Sequence, residues 1–397
     1  MHSILAQSIL TLTAVVFFLW KDWVELIPLS LTILLNYFWA RLIYRLPFPN
    51  ARKLVLWIGI AQNLSLLVVY RHLQILPDEV QTLLSPRTFF LHYAVSIYIF
   101  EAISILFDVY RKEAHPPTML EFGYFYSFFP RFFAGPIIRF QLFANQLVQN
   151  PRSQIKNGLR LLLLGLALNL PLAEAFRVFA DYAFAPKAEV SFSEAWIGTI
   201  AFLFQTYFTF SGYALVASGV ALCFGFQYPE NFRTPLLATS VTEFWNRWNL
   251  TLGNWIKAYF YLPWALHFKN SKFASGALLF STMVFIGLWH GLELKHLCFG
   301  IWFGAWLIFE QVDRYHEKIP PVLKGIFTFC IVAVGFQFLA VRNVDQSILL
   351  LNSLFARFDV LNISFELIQS HPWHGILSVV GILYTFFLEP KMTLRKG

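Results

Sequence analysis

Gly287-Leu288-Trp289-His290-Gly291 puts a histidine at the end of an uncharged run that begins near Ser275 and is long enough to lie within a bilayer. An ionisable side chain at membrane depth is costly to desolvate, so it is a functional candidate by default. Upstream, Glu243 to Leu252 packs charged, amide and indole side chains into ten residues between apolar segments, Asn249 among them. A histidine that moves a proton and an asparagine that donates a hydrogen bond, both in a membrane, suit acyl transfer. Moving an acyl group from a thioester to a hydroxyl needs a base that takes the hydroxyl proton and returns it to the leaving thiol. Imidazole does both near neutral pH, and a carboxamide N–H in a water-poor site steadies the developing oxyanion or fixes the acceptor. Asn249 lies 41 positions upstream of His290 (290 − 249), so only tertiary structure can unite them. Each has a plainer alternative: a structural histidine donating to a carbonyl, and a helix-capping or interhelical asparagine.

Arg247, Trp248 and Lys257 surround Asn249, and Trp289 precedes His290. Basic groups there could hold the phosphates of coenzyme A or of a carrier's phosphopantetheine; equally, they could snorkel to the interface beside a tryptophan anchor. Arg139, after the Gly135-Pro136 break, carries the same two readings. No metal site is expected. His290, Glu293 and His296 are spaced i, i+3, i+6, which on a helix turns the two histidines about 120° apart. Repeated His-x-x-His clusters, Gly-rich phosphate loops, Gly-x-Ser-x-Gly elbows and Cys-x-x-Cys pairs are absent from the sequence. His115, His267, His316, His371 and His374 read as solvated loop residues.

The elements that must position these residues are membrane helices. Hydrophobic residues make up 57% of the 397-residue chain and charged ones 13%, where a soluble domain is nearer half and a quarter. The fold class expected is all-α and polytopic, with about nine to twelve spans at about 20 residues each and one domain over 1–397. Candidate spans are 3–20, 24–44, 54–70, 88–107, 158–180, 194–210, 213–226, 275–291, 297–316, 322–341 and 374–389. The apolar run from Ser3 to Trp20 lacks a basic leader and a small-x-small cleavage site and reads as a retained first span. Two stretches do not read as clean spans. Phe122 to Phe140 carries Pro130, Arg131, Gly135, Pro136 and Arg139, and Thr242 to Trp264 holds Glu243, Arg247 and Lys257. Freed backbone and charge at membrane depth are tolerated only in protein or beside a wet cavity, so both are expected to be re-entrant or interfacial and to wall a central cavity. The net charge of +8 sits in short loops, where the positive-inside bias puts it; the Arg41–Lys53 cluster places that loop in the cytoplasm. This excludes nucleic acid as a partner and makes membrane lipids one. Cys223, Cys298 and Cys330 lie in apolar surroundings and read as small buried hydrophobes rather than a disulfide framework.

Several motifs in register resemble the membrane-bound O-acyltransferase family, and its bacterial branch above all. They are Asp108-Val109-Tyr110-Arg111; Phe129-Pro130 with Ala134-Gly135-Pro136-Ile137 and Arg139; Gln205-Thr206-Tyr207-Phe208 with Phe210-Ser211-Gly212-Tyr213; Gly225-Phe226 with Asn231-Phe232 and Pro235; Phe244-Trp245 with Arg247-Trp248; and the 287–291 stretch. The resemblance spans about 180 residues. It implies a multi-pass protein of the cell membrane that moves an acyl group, acetyl or D-alanyl, from a cytosolic acyl-CoA or acyl-carrier-protein thioester to a hydroxyl on an extracytoplasmic glycan or lipid-linked envelope acceptor. His290 would act with Asn249, no cofactor would stay bound, and a periplasmic or extracellular transferase could be a partner. There are departures. The residue after Arg-Trp, usually histidine in the bacterial branch, is Asn249, as in eukaryotic members. "RDY" reads Lys257-Ala258-Tyr259, and "YFDFSGYSD" loses both aspartates.

Two other classes stay open on the residues alone. A transporter or flippase would show inverted repeats and pathway acids; Glu101 and Glu174 are the only acids within clear spans, and no repeat is visible. The lost aspartates motivate the other, a family member reduced to a membrane scaffold.

Overall fold

The computed structural model describes residues 26–71, 90–128, 130, 135–148, 153–186, 189–268, 271–312, 319–356 and 369–394. The expected span at 3–20 lies outside them. Among the described residues the fold is helical and contains no strand. Six helices among those residues are long and apolar enough to cross a membrane: Pro49–Val69, Ile155–Ala183, Phe192–Cys223, Phe273–His290, Pro321–Ala340 and Pro372–Lys391. The chain is an all-α polytopic membrane protein. As expected, among the described residues neither 122–140 nor 242–264 forms one of those six helices; the described parts of both are broken into short pieces.

The chain folds as two units that interleave in sequence. The first comprises residues 1–163 and 213–229. Its helices α1 (Leu26–Arg45), α2 (Pro49–Arg71) and α3 (Phe90–Tyr110) pack on one another. Two buried amides bond to each other inside the bundle. Asn36 and Asn63 exchange side-chain bonds, Nδ2 to Oδ1 at 3.0 and 2.8 Å, and each spare N–H donates to the carbonyl four residues back, Thr32 O and Gly59 O. The Arg52 guanidinium donates to Tyr110 O at 2.7 Å at the end of α3. Helix α4 (Met119–Ser127) opens with a capping box in which Thr118 and Glu121 bond reciprocally. It delivers Tyr124, Phe125 and Phe128 to an aromatic cluster with Phe143 of α5 (Phe140–Val148) and Phe226; the centroids of Phe143 and Phe226 are 4.9 Å apart. Buried Glu101 accepts the Ile138 N–H at 3.2 Å and so anchors the irregular 135–139 segment.

The second unit, residues 164–212 and 230–397, carries the candidate site. Helices α6 (Ile155–Ala167) and α7 (Ala173–Ala183) are joined by a π-turn at Leu168–Leu172 that contains Pro171. The missing proline N–H accounts for the widened turn. Helix α8 (Phe192–Cys223) is continuous over 32 residues, which corrects the two spans expected at 194–210 and 213–226. Gly212 is a packing surface there and not a break: a methyl group on it would lie 2.8 Å from Gly165 O and from Asn169 Cβ. The remaining helices are α9 (Val241–Trp245), α10 (Leu250–Ile256), α11 (Leu262–Phe268), α12 (Lys272–His290), α13 (Leu294–Val312), α14 (Pro321–Ala340), α15 (Val344–Leu354), α16 (Pro372–Leu383) and α17 (Glu389–Leu394). Cys223, Cys298 and Cys330 are free thiols, half-buried rather than fully buried.

The Asn36–Asn63 exchange makes a clear expectation. Asn36→Leu should lower stability in detergent by about 1–2 kcal/mol, because the partner amide is left buried with two bonds fewer. The double variant Asn36→Leu/Asn63→Leu should recover most of that loss in a thermal-melt series.

Candidate active site

The segment that carries Asn249 is fixed at both ends by carboxylates. Helix α9 starts at Ser240, whose hydroxyl accepts the Glu243 N–H at 3.0 Å. Glu310, from α13, accepts the Val241 N–H at 2.5 Å, the Thr242 N–H at 2.8 Å and the Thr242 hydroxyl at 2.7 Å. One carboxylate thereby satisfies donors that the first turn of a helix otherwise leaves open, at the end where negative charge is favoured. Glu243 accepts from the Thr239 N–H and hydroxyl and pairs with Arg247 at 2.5 Å. Burial works against its charge, but the Thr239 donors and Arg247 outweigh that and hold the carboxyl below the usual range.

After α9 the chain turns through Asn249 in the left-handed region, φ 45° and ψ 54°. Asparagine tolerates that conformation better than most residues. A seam from residues 231–233 holds the turn. Arg233 N–H donates to Arg247 O at 2.9 Å, Leu250 N–H to Asn231 O at 2.8 Å, and the Thr251 N–H and hydroxyl to Asn231 Oδ1 at 3.1 and 2.7 Å. Asn249 occupies the N-cap position of α10, yet its side chain makes no capping hydrogen bond. The capping alternative therefore does not describe it.

His290 is the last residue of α12. This helix and α13 form a hairpin whose backbones touch. A methyl group on Gly287 would lie 2.3 Å from His296 O and 2.9 Å from Gly300 N, and one on Gly300 would lie 2.7 Å from Met283 O. The His290 ring sits edge-on to Phe299 of α13, centroids 5.4 Å apart. Phe299 in turn meets the Trp245 ring at 6.2 Å.

His290 and Asn249 line the same cavity, of about 460 Å³. Trp248, Lys257 and Trp289 line it too. Lys257 is exposed and opens a π-turn, Lys257–Tyr261, that interrupts the helical run between α10 and α11; such turns recur at functional sites because they re-aim side chains. Arg247 is not among the lining residues. Its guanidinium is paired with Glu243 and lies 3.4 Å from Thr234 O and Oγ1. Arg139 belongs to the first unit, exposed, and is likewise not among them. Sequence reasoning missed other members of the wall, including Thr206, Trp245, Phe299, Gln311 and Phe336. Trp245 could have been found, since it lies in the same indole-rich stretch. Gln311 and Phe336 carry no local signal. The Trp245 Nε1 is buried without a hydrogen-bond partner among the described residues. Among those residues no three histidine, cysteine or acidic side chains gather as metal ligands. His374 lies in the first turn of α16, and His267 in the last turn of α11, where the sequence suggested loops.

The model of the membrane-bound O-acyltransferase family matches residues 1–338. Over 323 residues the chain is 31% identical to a Pseudomonas putida protein named "Probable alginate O-acetylase AlgI", covering 78% of this chain and 65% of that protein. It is 27% identical over 384 residues to the peptidoglycan O-acetyltransferase of Helicobacter pylori, covering 85% of this chain and 72% of that protein. It is 25% identical over 248 residues to the teichoic acid D-alanyltransferase of Streptococcus thermophilus, covering 58% and 59% of the two chains. The chain thus spans about half to two-thirds of the length of the alginate O-acetylases it matches.

The α12–α13 contact leaves no room for a side chain at Gly287. Gly287→Ala should cost about 1–3 kcal/mol of stability as the hairpin is forced apart. Gly276→Ala, on the same helix with only Gln311 Oε1 at 4.0 Å, should be neutral or gain up to about 1 kcal/mol from helix propensity. Parallel melts of the two variants in one detergent check both.

Proposed function

Because the chain belongs to the membrane-bound O-acyltransferase family, we propose that it transfers a small acyl group, acetyl or D-alanyl, from a thioester to a hydroxyl of an extracytoplasmic glycan or other envelope acceptor. The observation that carries this reading is that His290 and Asn249, from segments 41 positions apart (290 − 249), line one cavity. The donor is an acyl-CoA or a carrier-bound thioester, and the reaction takes place in the cell membrane. The names of the relatives support an envelope glycan or polymer as acceptor.

In this reaction the acceptor hydroxyl gives its proton to His290 as its oxygen attacks the thioester carbonyl. The imidazolium forms at the C-terminal end of α12, where the unpaired carbonyls of the last turn favour positive charge. The carbonyl oxygen becomes an oxyanion, held by the Asn249 amide; the Trp245 indole N–H is a second donor that a substrate oxygen would satisfy. Collapse of the intermediate breaks the carbon–sulfur bond. His290 returns the proton to the departing thiolate, leaving an ester and a free thiol. Lys257 is the cation of the cavity wall placed to meet donor phosphate, and Trp248 and Trp289 provide apolar surface for the pantetheine arm. Arg247 serves the turn instead, through Glu243 and Thr234.

His290→Ala should reduce transfer roughly 10²–10⁴-fold while membrane insertion and melting behaviour stay near wild type. Purified protein, labelled acyl thioester and an envelope glycan acceptor provide the assay. Turnover within a fewfold of wild type would sink the assignment. No transfer by the unaltered chain from either class of donor would favour the scaffold reading.

A further inference from the structure

The last membrane helix places an acid inside the protein that the reaction above does not use. Glu389 lies beyond residues 1–338, the stretch the family model matches, and is 8% exposed. A buried carboxyl carries a desolvation cost that polar partners must offset. Its partners lead toward the site. The Tyr207 hydroxyl, fully enclosed in α8, donates to Glu389 Oε1. The backbone N–H of Thr234 donates to the same carboxyl.

Thr234 is the second residue of this unit in the left-handed region, at φ 45°. A β-branched side chain makes that conformation costly, about 1–3 kcal/mol, and it persists only where neighbours hold it. Two groups hold Thr234: Glu389 at its N–H, and Arg247 at its carbonyl and hydroxyl. Residues 231–233, just before it, form the seam that sets the turn at Asn249. Tyr207 supports the same turn from its other side, its ring 6.0 Å from both Phe232 and Trp248.

We propose that Glu389 is a positioning residue for acyl transfer: it pins the Thr234 turn and the Tyr207 ring, and through them sets Trp248 and Asn249 in the cavity wall. This rests on the acyl-transfer reading of His290 and Asn249. Glu389 does not touch substrate, so its loss acts on turnover through the misplacement of Asn249. Small misplacements of a reacting constellation cost up to about 10²-fold.

The test is a double-mutant cycle on kcat in the full chain, with purified protein and labelled acyl thioester. Glu389→Ala should lower kcat roughly 10–100-fold and leave the donor KM within about threefold. Glu389→Gln, whose amide oxygen can accept one of the two bonds, should fall between Ala and wild type. Tyr207→Phe keeps the ring and loses the bond, and carries the same cycle should Glu389→Ala fail to fold. In an Asn249→Ala background, Glu389→Gln and Tyr207→Phe should cost no further turnover, because the group they position is gone. Full multiplicative losses in that background would show a purely structural role and overturn the proposal. So would wild-type turnover in Glu389→Gln and Tyr207→Phe. If Asn249→Ala itself turns over like wild type, the site reading fails first and takes this proposal with it.

Discussion

The candidate site depends on how closely the backbones of α12 and α13 approach. Gly287 and Gly300 bring main-chain atoms to distances that no side chain could share, the small-residue contact that membrane helices use where hydrophobic burial gives little drive. This contact fixes His290, three residues beyond Gly287. The same α13 carries Phe299 against His290 and Trp245, and further along it Glu310 caps the start of α9. One helix therefore locates the histidine at one end and the asparagine-bearing segment at the other. Their juxtaposition is a property of α13 as much as of the two residues themselves.

A membrane site that needs turns must satisfy the backbone the turns release. Here the solution is three carboxylates, each accepting backbone N–H groups. Glu310 takes those of Val241 and Thr242, Glu243 that of Thr239, and Glu389 that of Thr234. Arg247 belongs to the same framework, tied to Glu243 and to Thr234. The charged residues of the 242–264 stretch thus divide in two. Those paired across one helical turn shape the loop, and Lys257, on its π-turn, faces the cavity.

Much of this was open to sequence reasoning. The length and apolarity of the runs located the helices within a few residues. The charged and indole-rich stretch marked its own departure from an ordinary span, and His290 stood out as an ionisable group at the end of an uncharged run. The misreadings have physical causes. The spans expected at 194–210 and 213–226 are one helix, in which the missing Cβ of Gly212 serves contact with Gly165 and Asn169. Arg247, open to both a phosphate-binding and a snorkelling reading, is paired with Glu243 across one helical turn. Glu310 and Glu389 act over 69 and 155 positions (310 − 241; 389 − 234). No local pattern announces a carboxylate that caps a turn so far away in sequence.

The acids this chain lacks relative to its family's bacterial branch bear on the same framework. Thr209 stands where "YFDFSGY" has its first aspartate, and Ala258 where "RDY" has its acid. Neither is among the residues lining the cavity, whereas the adjoining Thr206, Phe210 and Lys257 are. Thr209 uses its carbonyl to accept the Asn169 amide at 3.1 Å and so takes part in helix packing. Those two positions therefore lie outside the wall that carries His290 and Asn249. The replacement that does fall on the wall is Asn249, at a position whose φ of 45° restricts the choice of residue. Asparagine and histidine are both enriched in that backbone region. The exchange between them therefore preserves the turn while changing the group it presents: a neutral amide that donates a hydrogen bond, in place of a second imidazole that could also carry a proton. His290 is then the one imidazole among the described residues that line the cavity.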